Sequence, residues 1–366
     1  MNRHNRCSVS DHDPLLFESK TRVQIDEGPR LVVRGLASRH ASLRTRRLAV
    51  WCWLARRVRA VYSKAKRGEK TVTHPSEFWP PAPDLQHRRI GFVFRGHHFE
   101  GHLVAPSEAL GPRPLVLVIH NYQGLKQFDR DVAEYLARLG YVGLAIDMYG
   151  DRVPSDEREF PTDPSRIEAF QTKCFEAMVW LDHDPELFRA LLDAWINAGK
   201  AEACVNDALS PAAIGYCFGG MAVLEGVRGG LDLSAVVSFH GLLQTGEDPS
   251  PARFGAARPP LKSIPNDYNT NTIVLIENGA EDHLVLQTHK DRFFAEMDEA
   301  GVDWSFVDHA KTPHGFALPS RIGPPGHLHE AADRRSTQNM LSLLKEVFPG
   351  VEQASVDFNA AGTLIP

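Results

Sequence analysis

The sequence predicts an α/β protein: a mostly parallel sheet with helices on both faces, behind a basic helical N-terminal extension. Three observations predict it. Short unbroken aliphatic runs, 115–119 and 235–239 among them, read as strands buried on both faces. Segments of helical spacing separate these runs, which is the alternation of βαβ units with right-handed crossovers. One run, 211–216, leads into Gly-x-Cys-x-Gly-Gly (Gly215 to Gly220) and then a plausible helix start. Such a turn places a side chain at the carboxyl end of a strand, where parallel sheets gather their active sites.

In chain order, residues 1–40 mix charge, His, Pro and Gly without periodicity and read as loosely ordered. Residues 42–66 have helical spacing (Leu43, Val50, Leu54, Val58, Val61) and carry Arg46, Arg47, Arg56, Arg57, Arg59, Lys64 and Lys66 around Trp51 and Trp53. That chemistry suits an anionic membrane surface. Basic helices are common and few are anchors, so the expectation is a solvated arm or sequence ahead of the domain proper. Pro75, Pro80, Pro81 and Pro83 mark a linker over 71–85. Residues 89–94 and 99–104 are expected to pair as strands around Gly96, followed by strand 115–119, helix 129–139 and strand 141–146. Residues 151–205 carry no strand pattern and read as two amphipathic helices, 165–180 and 185–198, lying over the site as an insert. Strands at 235–239, 272–276 and 304–307 follow, with a Pro- and Gly-rich loop at 244–268 and helices at 287–300 and 331–347. The expected domains are therefore an extension with linker (1–85), the α/β body (86–350) and a tail (351–366).

Charge separates these parts. Residues 1–70 carry 17 Lys/Arg against 6 Asp/Glu, and the remainder 24 against 40. So acidic a body argues against nucleic acid as a partner. The five cysteines (Cys7, Cys52, Cys174, Cys204, Cys217) are odd in number, scattered and without a CxxC pair. They form neither a disulfide framework nor a zinc site, and they suggest a reducing compartment. The apolar run 48–55 is too short to span a bilayer, and residues 1–10 lack the apolar core of a signal peptide. A cytoplasmic protein needing no metal or cofactor is the expectation.

The chemistry concentrates at three strand ends. Cys217 stands on a cramped turn whose neighbours must be small, and the following helix points its amino end at the sulfur. The amide of the next residue, Phe218, is a natural oxyanion donor. The plain alternative is an ordinary strand–turn–helix with a buried cysteine. Gly-Ala-Glu-Asp-His (279–283) follows the strand at 272–276, and Pro-His-Gly (313–315) follows that at 304–307. A thiol is little ionised at neutral pH and needs a base, and the base needs an orienter. His314 fits the first role and Asp282 the second. Glu281 rivals Asp282; His283, His289 and His309 rival His314.

Gly-Tyr-Cys-Phe-Gly-Gly, Gly-Ala-Glu-Asp-His-Leu-Val and Pro-His-Gly-Phe, in this order, resemble the dienelactone hydrolase family over about residues 89–349. The loop 120–124 and the strand ends 147–150 and 237–241 add to the likeness, as does Asp-Arg-Arg-Ser at 333–336. The resemblance implies an α/β-hydrolase fold and cleavage of a small ester or lactone through an acyl-thioester. It implies a Cys217–His314–Asp282 triad and oxyanion amides at Tyr122 and Phe218, with Asn121 and Tyr149 near substrate. Two positions depart from the family. Asn121 stands where the family has a glutamate that helps activate the thiol, and an amide cannot take a proton. Leu318 stands where the family has a carboxylate-binding arginine; Arg166 and Arg321 are candidate substitutes, and the loss points to a neutral acyl substrate. A general carboxylesterase or thioesterase is the near alternative. A weakly catalytic binding module tethered by residues 42–66 is the distant one.

Overall fold

The computed structural model describes residues 84–106, 111–153, 161, 163–319, 323 and 326–351. The basic helix expected at 42–66, the linker before residue 84, nearly all of the expected tail and Arg321 lie outside the described residues.

Eight strands form one sheet: β1 (Leu85–Phe94), β2 (His97–Pro106), β3 (Leu115–Ile119), β4 (Val142–Ile146), β5 (Ala212–Tyr216), β6 (Ala235–Phe239), β7 (Ile273–Gly279) and β8 (Asp303–His309). Their order is β1-β2-β4-β3-β5-β6-β7-β8. The β1–β2 hairpin and the β2–β4 pairing are antiparallel; every pairing from β4 through β8 is parallel. Among the described residues the longer helices are α1 (Gln127–Arg138), α2 (Pro164–Asp182), α3 (Pro185–Lys200), α4 (Phe218–Arg228), α5 (Gln287–Ala300) and α6 (Glu330–Val347), with a single turn at Ser250–Arg253.

Burial on both faces explains the aliphatic runs. Leu115, Leu117 and Ile119 of β3 point into a core shared with α2, α3, α4 and α5, whereas Val116 and Val118 point into one shared with α1 and α6. Alternate residues of one strand thus feed two layers, and neither face tolerates a polar residue there. The helices α2 and α3 begin at aspartates that accept backbone N–H groups (Asp163 from Ser165, Asp184 from Leu187), each followed by proline at the first helical position.

The hairpin is longer than the expected 89–94 and 99–104. His87 and Arg88 of β1 and His97 and His98 of β2 interrupt the apolar pattern, but β1 is an edge strand and the start of β2 pairs with β1 alone, so half-exposed polar residues sit comfortably there. Its two-residue turn uses Arg95 and Gly96, both at positive φ (48° and 85°). The described residues of 151–205 carry α2 and α3 as expected, and one parallel bridge joins Arg113 and Val205.

Candidate active site

The turn from β5 into α4 is tight. Cys217 adopts φ 56°, ψ −109°, a conformation that side-chain-bearing residues avoid and that surrounding structure must enforce. Its N–H donates to Phe239 O at 3.0 Å, fixing the turn to the end of β6. Glycine is required on either side: a Cβ on Gly215 would lie 2.0 Å from Gly219 O, and one on Gly219 would lie 2.2 Å from Ile119 O. The sulfur is thereby held at the mouth of the β5–α4 turn, 7% exposed.

Two further strand ends converge on it. His314, on the loop after β8, places Nε2 3.2 Å from Cys217 Sγ and Nδ1 2.8 Å from Asp282 Oδ2. Asp282, on the loop after β7, also accepts the Leu284 N–H at 2.8 Å through Oδ1. A carboxylate accepts only, so Nδ1 carries the hydrogen and Nε2 faces the thiol, able to take its proton. Burial by itself would lower His314, but its interactions with Cys217 and then with Asp282 outweigh it and hold the imidazole well above its ordinary range, which favours a proton on Nε2. Burial would raise Asp282; the charge and hydrogen bond of His314 overcome this and hold the carboxyl below its ordinary value.

The rival residues point elsewhere. Glu281 is exposed. His283 is exposed with its ring 6.2 Å from that of His314, His289 lies by Leu284 O and Glu247, and His309 bonds Glu277.

The loop after β3 is clamped at four points. The Asn121 carbonyl accepts from His120 Nδ1 at 2.6 Å and from Gly124 N at 3.1 Å. Asn121 Oδ1 accepts Gln123 N at 2.8 Å, and the Tyr149 hydroxyl donates to Tyr122 O at 3.0 Å. His120 Nε2 in turn accepts Met148 N at 3.0 Å, so both ring nitrogens are used and the tautomer is set. A trans peptide points its N–H opposite its C=O, so anchoring the Asn121 carbonyl also aims the Tyr122 N–H. The amides of Tyr122 and Phe218 have no acceptor among the described residues. Phe218 opens α4, where the first N–H groups lack intrahelical partners.

The family model for the dienelactone hydrolase family matches residues 99–348. The chain belongs to the dienelactone hydrolase family. It is 24% identical over 285 residues to a putative carboxymethylenebutenolidase of Salmonella typhimurium, covering 74% of this chain and 96% of the relative. It is 23% identical over 193 residues to the carboxymethylenebutenolidase of Pseudomonas putida, covering 52% and 70%. Among solved structures it is similar to m3DLH (30% identity, TM-score 0.57) and to a dienelactone hydrolase-like promiscuous phosphotriesterase from metagenomic libraries (27%, TM-score 0.56). Each covers 72% of this chain and 99% of the other.

Within this dienelactone hydrolase-family chain, the insert packs on the segments bearing the two free amides. The Phe175 ring of α2 stacks on Tyr122 at 4.5 Å and on Phe254 at 4.9 Å, Gln171 donates to the Tyr122 hydroxyl at 3.2 Å, and Phe188 of α3 stacks on Phe218 at 5.3 Å.

Other expected site residues are placed differently. Tyr149 is fully buried behind the loop, bonded to Tyr122 O, rather than at a surface open to substrate. Leu318 is buried in the core shared with α1 and α6, on the other layer from Cys217, because a Gly315–Leu318 turn sends the chain back under the sheet. Arg166 is exposed in the first turn of α2, beside Asp163.

Sequence reasoning passed over His120, although it lay in the quoted loop, and also Glu277 and His240. Their significance depends on partners about 30 or more residues away. Among the described residues, no group of three or more His, Cys, Asp or Glu could hold a metal ion, and no helix is long and apolar enough to cross a membrane.

Proposed function

We propose that this chain hydrolyses a carboxylic ester or lactone with Cys217 as nucleophile, His314 as base and Asp282 as its orienter. The observation that carries the reading is the hydrogen-bonded line Asp282–His314–Cys217, at 2.8 and 3.2 Å. Cys217 Sγ attacks the acyl carbon with its proton given up to His314 Nε2, and the carbonyl electron pair moves onto oxygen. The amides of Tyr122 and Phe218 receive that oxyanion; one such donor is typically worth about 10²–10³ in rate. Collapse expels the leaving oxygen, which takes the proton from His314 and leaves an acyl-thioester. Water then adds to the thioester, giving its proton to His314, and the C–S bond breaks to return the thiol.

Asn121 has its side-chain oxygen engaged by Gln123 N, so His314 deprotonates Cys217 directly while Asn121 keeps the loop in shape. The row Tyr122–Phe175–Phe254 favours a neutral acyl substrate over a carboxylate-bearing one, which fits a general carboxylesterase or thioesterase as well as a lactonase. We place the catalytic body at residues 86–350. A reducing compartment suits its free thiols Cys174, Cys204 and Cys217.

The test is turnover of a short aryl ester and of dienelactone, alongside Cys217→Ala, with intact mass recorded during the reaction. The expected result is a transient acyl adduct on the parent protein and none on the variant. A folded protein that neither turns over nor forms an adduct refutes the reading.

A further inference from the structure

Behind Asp282 and His314 lies a second buried histidine–carboxylate pair. Glu277, fully buried on β7, accepts from His309 Nε2 on β8 at 2.6 Å and from Asn339 Nδ2 on α6 at 2.7 Å. Glu277 stands five residues before Asp282, and His309 five before His314. The two pairs therefore occupy matching places on neighbouring strands and on the loops that follow them. Ala280 N donates to His309 O and Glu281 N to Thr312 O, both at 2.9 Å, joining the loops between the pairs.

The buried pair reaches the His314 ring through a closed set of contacts. The His309 ring lies 5.4 Å from Phe316, Phe316 meets His240 edge to face at 5.3 Å, and His240 meets His314 edge to face at 5.3 Å. The His240 N–H then donates back to the Glu277 carbonyl at 2.7 Å. His240 is fully buried at φ 40°, a region histidine seldom enters, and neither ring nitrogen has a hydrogen-bond partner among the described residues. Its ring is therefore held by packing, and the backbone bond to Glu277 sets where that packing occurs.

A buried pair of ionisable side chains adds little net stability over apolar side chains of the same volume, and its best-attested use is to fix register. We infer that Glu277 and His309 are positioning residues for His314. They fix the separation of the β7 and β8 ends and, through Phe316 and His240, the plane of the imidazole facing Cys217. This rests on the triad reading above. A misplacement of about 1 Å at a reacting group is enough to cost up to about 10²-fold in rate.

The test is a double-mutant cycle on the full chain with a short aryl ester, reading kcat and KM separately. Glu277→Gln in the parent is expected to lower kcat about tenfold with KM within about twofold, as loss of alignment predicts. In an Asp282→Asn background, where His314 is already unaligned, the same change is expected to cost less than about twofold. Equal factors in the two backgrounds, or no loss in the parent, overturn the inference. Should Glu277→Gln not fold, His309→Phe, which keeps a ring beside Phe316 and removes the Nε2 donor to Glu277, completes the cycle with the same expectations. If Asp282→Asn alone leaves kcat unchanged, the triad reading fails and the inference falls with it. If that variant is impaired but the factors are equal, only the positioning role fails.

Discussion

Tyr149→Phe separates two meanings of a tyrosine beside an active site. The change deletes one oxygen and nothing else, and in this structure that oxygen bonds Tyr122 O at 3.0 Å with the residue fully buried. Leaving a buried carbonyl unpaired costs about 1–3 kcal/mol. At about 2–4 °C per kcal/mol for a body of this size, the melting temperature is expected to fall by several degrees. The rate effect follows from the loop. Tyr149 supplies one of four bonds that hold residues 121–123, and the other three, on Asn121 O and Asn121 Oδ1, remain. Complete loss of an oxyanion donor is worth about 10²–10³; loosening it by one support of four is expected to lower kcat about 3- to 10-fold, or about 0.6–1.4 kcal/mol. KM is expected to stay within about twofold, because a buried hydroxyl cannot contact substrate. Steady-state kinetics on a short aryl ester at 25 °C, with a melting curve, decides the matter. A raised KM with unchanged kcat would mean that Tyr149 touches substrate, and the argument from burial would be wrong.

Two more predictions follow from the loop and from a helix start. Asn121→Glu is expected to lower turnover several-fold on both the aryl ester and dienelactone, since the larger side chain breaks the Oδ1 bond to Gln123 N; a gain of orders of magnitude on dienelactone would show that this position alone separates the chain from its relatives' chemistry. Asp129, buried near the start of α1 and accepting Lys126 N, has its carboxyl pushed up to about 7, chiefly by burial. Its folded pKa lies above the unfolded value near 4, so its contribution is complete below about pH 4 and is lost as pH rises through 7. The fall in melting temperature between pH 5 and pH 8 is accordingly expected to shrink in Asp129→Asn, and an unchanged fall would place the proton elsewhere.

Most of the architecture was legible because it follows from local rules. An aliphatic run of five residues fits a strand covered on both sides, and β3 and β6 fall where such runs stand. The Cys217 turn was legible for a related reason: a Cβ on Gly215 or Gly219 would lie 2.0 or 2.2 Å from a backbone oxygen, so neither position admits another residue. Choices that depend on where a loop points were not legible. Asp282 and Glu281 are adjacent and chemically alike, and only the turn after β7 sends one inward and the other to solvent. The resemblance to the family made Leu318 a site position, but the turn at Gly315 redirects it into the opposite layer. Glu277 was passed over because a charged residue at a strand end reads as solvent-facing; its partners come from β8 and α6, and no short window of sequence shows them.

The stacking of α2 on Tyr122 ties two properties that enzymes otherwise adjust separately. Under the proposed function Phe175 belongs to the aromatic row that favours a neutral acyl group, and Phe175 and Gln171 brace the residue whose amide is one of the proposed oxyanion donors. Remodelling α2 to admit a bulkier acyl group is therefore expected also to retune the machinery that lowers the barrier. Descendants of this chain that change diet must re-brace Tyr122 from another direction or accept slower chemistry, and compensating substitutions are expected around Gln123 and Phe254, the remaining neighbours of that brace.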